Sequence, residues 1–260
     1  MRIKFEGAEA DDHKLEAYEG IKSLEGFIRV ARIASHYAAT EEVRFRAPYT
    51  SLLEAQISQI NNGSFEMLFD YASRMADQID FDAAKTKAES IFNFLVARGT
   101  GQTENDELFV EGEQVPTGDL AAMAEASEAG LKAAHRWVDR EEKSIKVIDG
   151  DDETTIDLGT KAYVEEEVTG DEITRDVSVA AMNVNSKNGR VYLFDEHRTV
   201  PFVVHKEAAP RTITNLSRYL PEYAQKTGQT VNIRYRPVSH IDGKTKRLIV
   251  FDCFELGNAA

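Results

Sequence analysis

The chain has a single cysteine, Cys253, in 260 residues. That excludes an internal disulfide framework and suits a reducing compartment. No run approaches the 18 apolar residues of a membrane span. The opening MRIKFEGAEADDH holds no apolar stretch of signal-peptide length. The expectation is a cytoplasmic protein with no membrane partner. Motifs that carry chemistry are also missing. There is no Gly-rich loop ending in Lys-Ser/Thr, no dinucleotide Gly fingerprint, no Gly-x-Ser-x-Gly elbow and no His-Glu-x-x-His pair. The six histidines, at 13, 36, 135, 197, 205 and 240, show no ligand spacing, so zinc is not expected. DGDDET, residues 149–154, starts like a calcium loop. Its sixth and twelfth positions are Thr154 and Thr160, where an EF-hand needs Gly and Glu. An acidic turn is the better reading, and no metal or cofactor is expected.

What is present is a globular composition, 42% hydrophobic with thirteen Phe and nine Tyr, in a length that suits two domains. The net charge of −14 is uneven. Residues 171–260 hold 13 basic and 10 acidic side chains, whereas residues 1–170 hold 18 basic and 35 acidic, a net of −17. Two surfaces with different partners follow from such an asymmetry. Simple solubility of the acidic half is the plainer reading.

The fold class expected is α+β. MRIKFEG alternates as a strand. From about His13 to Ala39, Leu15, Tyr18, Ile21, Leu24, Ile28, Ala31, Ala34 and Ala38 recur at helical spacing as one apolar stripe, with Asp11 or Asp12 as cap. Gly20 and Gly26 cost helix propensity but allow a close neighbour. EEVRFRA reads as a strand with Val43 and Phe45 on one face. A hairpin turning at Asn62-Gly63 follows. Helices then run to Gly99 and from PTGD through HRWVDREEK. These elements make an acidic α+β domain over 1–143, a small sheet with packed helices. Residues 144–170 read as a connecting hairpin.

Residues 171–260 read as strands at 177–184, 190–194 and 199–206, a helix near 212–224 that Pro221 kinks or splits, and strands at TVNIRYRPV and LIVFDCFEL. Three strands, one helix and two strands resemble an OB-fold, a five-stranded Greek-key barrel. The likeness covers 171–256 and rests on element order. OB barrels bind single strands with aromatic and basic residues on strands two and three. The corresponding residues are Arg190, Tyr192, Phe194, His197, Arg198, Phe202 and Lys206. Tyr192 and Phe194 share a face, and apolar residues at strand period ordinarily mark a core, which places them inside. Arg234 and Arg236 share the exposed parity. The nucleic-acid contacts expected are Arg190, Arg198, Arg234, Arg236, Lys244, Lys246 and Arg247. No catalytic residue is assigned, and Cys253 reads as a buried thiol.

The first half, with LEAYEGIKSLEGFIRVARIASHY and NNGSFEMLF, resembles an uncharacterised bacterial family found near mobile elements or anti-phage genes. The resemblance implies a component of a multi-protein assembly and carries no site residues. The function expected is a non-catalytic binding protein. The acidic domain docks a protein partner or a second copy, and the barrel takes a protein or single-stranded nucleic acid. The alternatives are a metal-dependent hydrolase using clustered carboxylates, or a nucleotide sensor.

Overall fold

The computed structural model describes residues 1–12, 14–61, 65–73, 77–103, 105–225 and 227–254. His13, the Asn62-Gly63 turn and Leu256 lie outside them. Two compact units divide the chain, Met1–Glu165 and the part from Glu166 onward.

In the first unit, β1 (Arg2–Glu6) leads through a 3-10 turn (Ala8–Ala10) into α1 (Ala17–Thr40). Then come β2 (Glu54–Asn61), β3 (Phe65–Ala72), α2 (Phe81–Gly99), the short pair β4 (Leu108–Val110) and β5 (Glu113–Val115), and α3 (Thr117–Ala134). β6 (Ser144–Asp149), β7 (Asp152–Ile156) and α4 (Leu158–Glu165) complete it. The sheet order is β2-β3-β1-β6-β7, antiparallel at every pairing. Alternation puts Ile3, Phe5, Met67, Phe69, Ile145 and Val147 on the buried face, in one core with Phe27, Ile91, Leu95, Leu131 and Trp137. Residues 144–156 of the segment read as a connector are therefore a hairpin that pairs with β1 and belongs to this sheet.

Four expectations change here. α1 is capped by Glu16, whose carboxylate accepts from the N–H groups of Tyr18 and Glu19; Asp11 accepts from Gly7 instead. The stripe on α1 is rotated: Tyr18 and Ile21 are 62% and 61% exposed, while Gly20, Ser23, Gly26, Phe27, Val30 and Ala34 are buried. The cause is close helix packing. A Cβ on Gly26 would stand 2.4 Å from both the Gly130 carbonyl oxygen and the Ala134 nitrogen of α3, so small residues mark the contact. EEVRFRA is not a strand. It is a loop with a cis Ala47–Pro48 bond, and Phe45 is 43% exposed. α3 also stops at Ala134, before HRWVDREEK, and Pro116 stands at its cap with no side-chain bond.

The second unit holds β8 (Val168–Thr169), β9 (Ile173–Asn183), β10 (Asn188–Leu193), β11 (Arg198–Val204), α5 (Arg211–Ala224), β12 (Val231–Ser239) and β13 (Thr245–Phe254). The ring β9-β10-β11-β13-β12 closes where β12 pairs with β9. β11 and β13 run parallel, Phe202 opposite Leu248; every other pairing is antiparallel. This is the five-stranded barrel with one helix expected from the element order. Val177, Val179, Val191, Leu193, Val200, Phe202, Ile233, Leu248 and Val250 fill it. α5 is one helix, with Pro221 inside it rather than dividing it, and Pro210 at its cap. The Arg211 guanidinium ties it to Asp252 of β13 with two hydrogen bonds, 3.0 and 2.8 Å.

Candidate functional site

The outer face of β10 and β11 follows from strand parity. Val191 and Leu193 point into the barrel, so Arg190 and Tyr192 point out. Phe194, just past β10, is 46% exposed. Its ring meets that of Tyr192 edge-on at 5.3 Å, a favourable aromatic geometry. The expectation that this pair lies in the core is corrected: the opposite parity of the same strand fills the core. On β11, Val200, Phe202 and Val204 are buried, leaving Thr199, Pro201 and Val203 outside. Register sets Arg190 opposite Pro201 and Tyr192 opposite Thr199. Phe202, a stacking candidate by sequence, is core. The face is thus aromatic and apolar, with one guanidinium beside it.

Most of the basic residues expected to meet phosphate are held by the barrel itself. Arg190 donates to the Thr199 carbonyl at 3.1 Å. Arg198 is bonded to Glu196. Arg234 donates to Glu172 at 3.0 Å, and Arg236 lies 4.0 Å from the same carboxylate with its guanidinium over Phe251. Arg247 makes two hydrogen bonds to Glu167, and Lys246 stands 2.9 Å from it. Burial alone would raise the Glu167 carboxyl; Lys246 and Arg247 outweigh it and hold it at about 2. Lys244 sits in the β12–β13 connection and Lys187 in the β9–β10 connection, and neither faces a carboxylate among the described residues. The structure therefore brings Arg234 and Arg236 together, and Lys246 and Arg247 together, each pair around one acidic residue. Sequence reading missed Glu167 and Glu172. Their signal was EEEVTGDE just before a strand that lies beside RYR, but only cross-strand register reveals the pairing.

Cys253 is fully buried and its thiol is pushed up to about 12, chiefly by burial, which leaves it a poor nucleophile. Among the described residues no group of three His, Cys, Asp or Glu side chains could hold a metal ion. No helix among them is long and apolar enough to cross a membrane.

Fold and face together define a two-unit α+β protein whose second unit is a closed five-stranded barrel. Residues 1–165 match the family described as "Domain of unknown function (DUF7946)", and the chain belongs to that family. Residues 171–254 match "Family of unknown function (DUF7947)". The first match ends where the first unit ends. No curated protein and no solved structure matches the chain.

Proposed function

We propose that the protein is a non-catalytic binding protein whose barrel takes a single nucleic-acid strand across the outer face of β10 and β11. The observation that carries the reading is the outward Tyr192–Phe194 pair, on the face that OB barrels use for ligands. Bases stack on such rings whatever their sequence. The test is fluorescence anisotropy of a labelled single-stranded oligonucleotide titrated with the full chain. Tyr192→Ala with Phe194→Ala is expected to weaken binding about 10-fold or more, since stacking contributes about 1–3 kcal/mol per base. Unchanged affinity in that double variant would remove the face from the reading.

A protein segment is the second reading. It is favoured by the internal neutralisation of Arg198, Arg234, Arg236 and Arg247. Binding of a peptide partner needs no free cations, and outward Pro201 and Val203 supply apolar area. In either case we read the chain as one component of a larger assembly, bacterial by the resemblance of its first half. Its acidic excess is suited to docking a protein or a second copy.

A further inference from the structure

The first unit is the acidic one, yet it carries arginines that no carboxylate meets. Arg2, Arg98, Arg136 and Arg140 each face an acidic side chain. Arg29, Arg32, Arg44 and Arg46 face none among the described residues, and all four are exposed. Arg32 and Arg44 converge on Tyr49 and His36. Arg29 and Arg32 stand one turn apart on the exposed side of α1. The guanidinium of Arg32 lies over the Tyr49 ring, 5.1 Å from its centre. Tyr49 in turn meets His36 of α1 edge-on at 6.0 Å. Arg44 and Arg46 flank exposed Phe45 in the same loop.

The loop is held in place before any ligand arrives. The Thr50 N–H donates to Nδ1 of buried His36 at 3.0 Å. Arg44 donates to the Pro48 carbonyl at 2.5 Å. His36 titrates below its ordinary range, through burial first and the Arg44 charge second, so at neutral pH it stays an acceptor for Thr50. Glu42 opposes the patch through its charge on His36; Glu41 is engaged by Lys87 at 3.0 Å.

We infer that Arg29, Arg32, Arg44 and Arg46, with Phe45 and Tyr49, form a second contact surface for a single nucleic-acid strand, on the first unit. It rests on the reading that the ligand is single-stranded nucleic acid, but not on the barrel face. Guanidinium groups that no carboxylate neutralises release counterions from phosphate. Exposed Phe45 and half-buried Tyr49 offer ring faces between them. The first unit thus offers both unneutralised cations and ring faces on one surface.

The full chain with a labelled single-stranded oligonucleotide, over a series of salt concentrations, tests this. Each phosphate contact on a single strand contributes about 0.7 to the slope of log affinity against log salt. Changing all four arginines to Glu is expected to lower that slope by about 3 and affinity by well over tenfold. Arg32 and Arg44 also hold the loop, so Arg29→Gln with Arg46→Gln serves as the milder variant, expected to lower the slope by about 1.4. An unchanged slope in both variants overturns the inference and leaves the barrel reading standing. Weakened binding by Tyr192→Ala with Phe194→Ala at constant slope supports the placement of the phosphate contacts away from the barrel face. Loss of nothing in that variant removes the barrel face and leaves the arginine surface. No binding by the unaltered chain at low salt overturns both. Competition by polyglutamate as effective as by oligonucleotide overturns the assignment to nucleic acid and points to an acidic protein.

Discussion

In the barrel, Arg175, Arg198, Arg211, Arg234 and Arg247 each stand against a carboxylate. In the first unit, Arg29, Arg32, Arg44 and Arg46 stand against none among the described residues, although acidic side chains outnumber basic ones there almost two to one. Net charge along a segment thus says little about where free charge sits. A carboxylate neutralises only what topology sets beside it. The barrel recruits Glu167 and Glu172 from the segment just before and after β8 and spends its basic strands on closing itself. The first unit distributes its acids over other faces and leaves one end of α1 and its loop cationic.

Three perturbations break or sharpen this contrast. The largest effect is expected from Gly26→Val, which acts on the first unit alone. Its added carbons meet α3 backbone, not a movable side chain, so the helices must separate. A loss of at least about 3 kcal/mol is expected. Trp137, the single tryptophan, is fully buried in this unit, so its fluorescence during urea unfolding reads the loss directly. An unmoved midpoint would mean that α1 and α3 do not pack this closely.

Glu167→Gln comes next and makes the barrel resemble the first unit. It strips the carboxylate from Lys246 and Arg247 and should cost about 2 kcal/mol, seen as a lower melting temperature by circular dichroism. If the oligonucleotide binds, the released Arg247 guanidinium should also steepen its salt dependence. A melting temperature equal to that of the unaltered chain would show the pair to be a solvated surface contact of little weight.

The smallest effect is the pH response, and it separates the units. His36 and His135 are both held below the ordinary imidazole value of 6.5, with burial the largest cause in each. The unfolded chain therefore binds more protons below 6.5. The stability these groups give is present above 6.5 and is lost as pH falls through 6.5 toward their lower folded values. Glu167, held at about 2 against an ordinary 4.5, protects the barrel above 4.5 and gives way only as pH falls from 4.5 through about 2. The Trp137 signal should accordingly weaken against urea at a higher pH than the barrel's strand signal. Both changing together below 4.5 would contradict it.

The barrel was legible because its core repeats Val and Ile at period two, and because a helix between the third and fourth strands suits few other small barrels. Which face of β10 is wet was not legible. Val191 and Leu193 compete with Tyr192 and Phe194, and since both parities carry large apolar or aromatic residues, alternation alone could not rank them. α1 failed in a related way. Its buried face is lined with Gly20, Ser23 and Gly26, which carry no hydrophobic signal, while Tyr18 and Ile21 carry a strong one outside. The period-two pattern of Val43 and Phe45 needed a partner strand to become sheet, and the fold supplies none among the described residues. As for the basic residues, their types were right for phosphate. Their partners were hidden until register set Arg234 beside Thr174 and Glu172 within reach.

The parallel seam between β11 and β13 also sets a timetable. β9, β10 and β11 are joined by short turns and can pair as soon as they leave the ribosome. The ring cannot shut until β13 arrives, because it must bridge β11 on one side and β12 on the other. Contacts of such sequence separation form slowly. Until they do, β11 and β12 each present an open edge, to which any passing strand can add. A nascent chain stalled short of β13 is therefore the form of this protein most exposed to aggregation, and the one for which a chaperone would matter most.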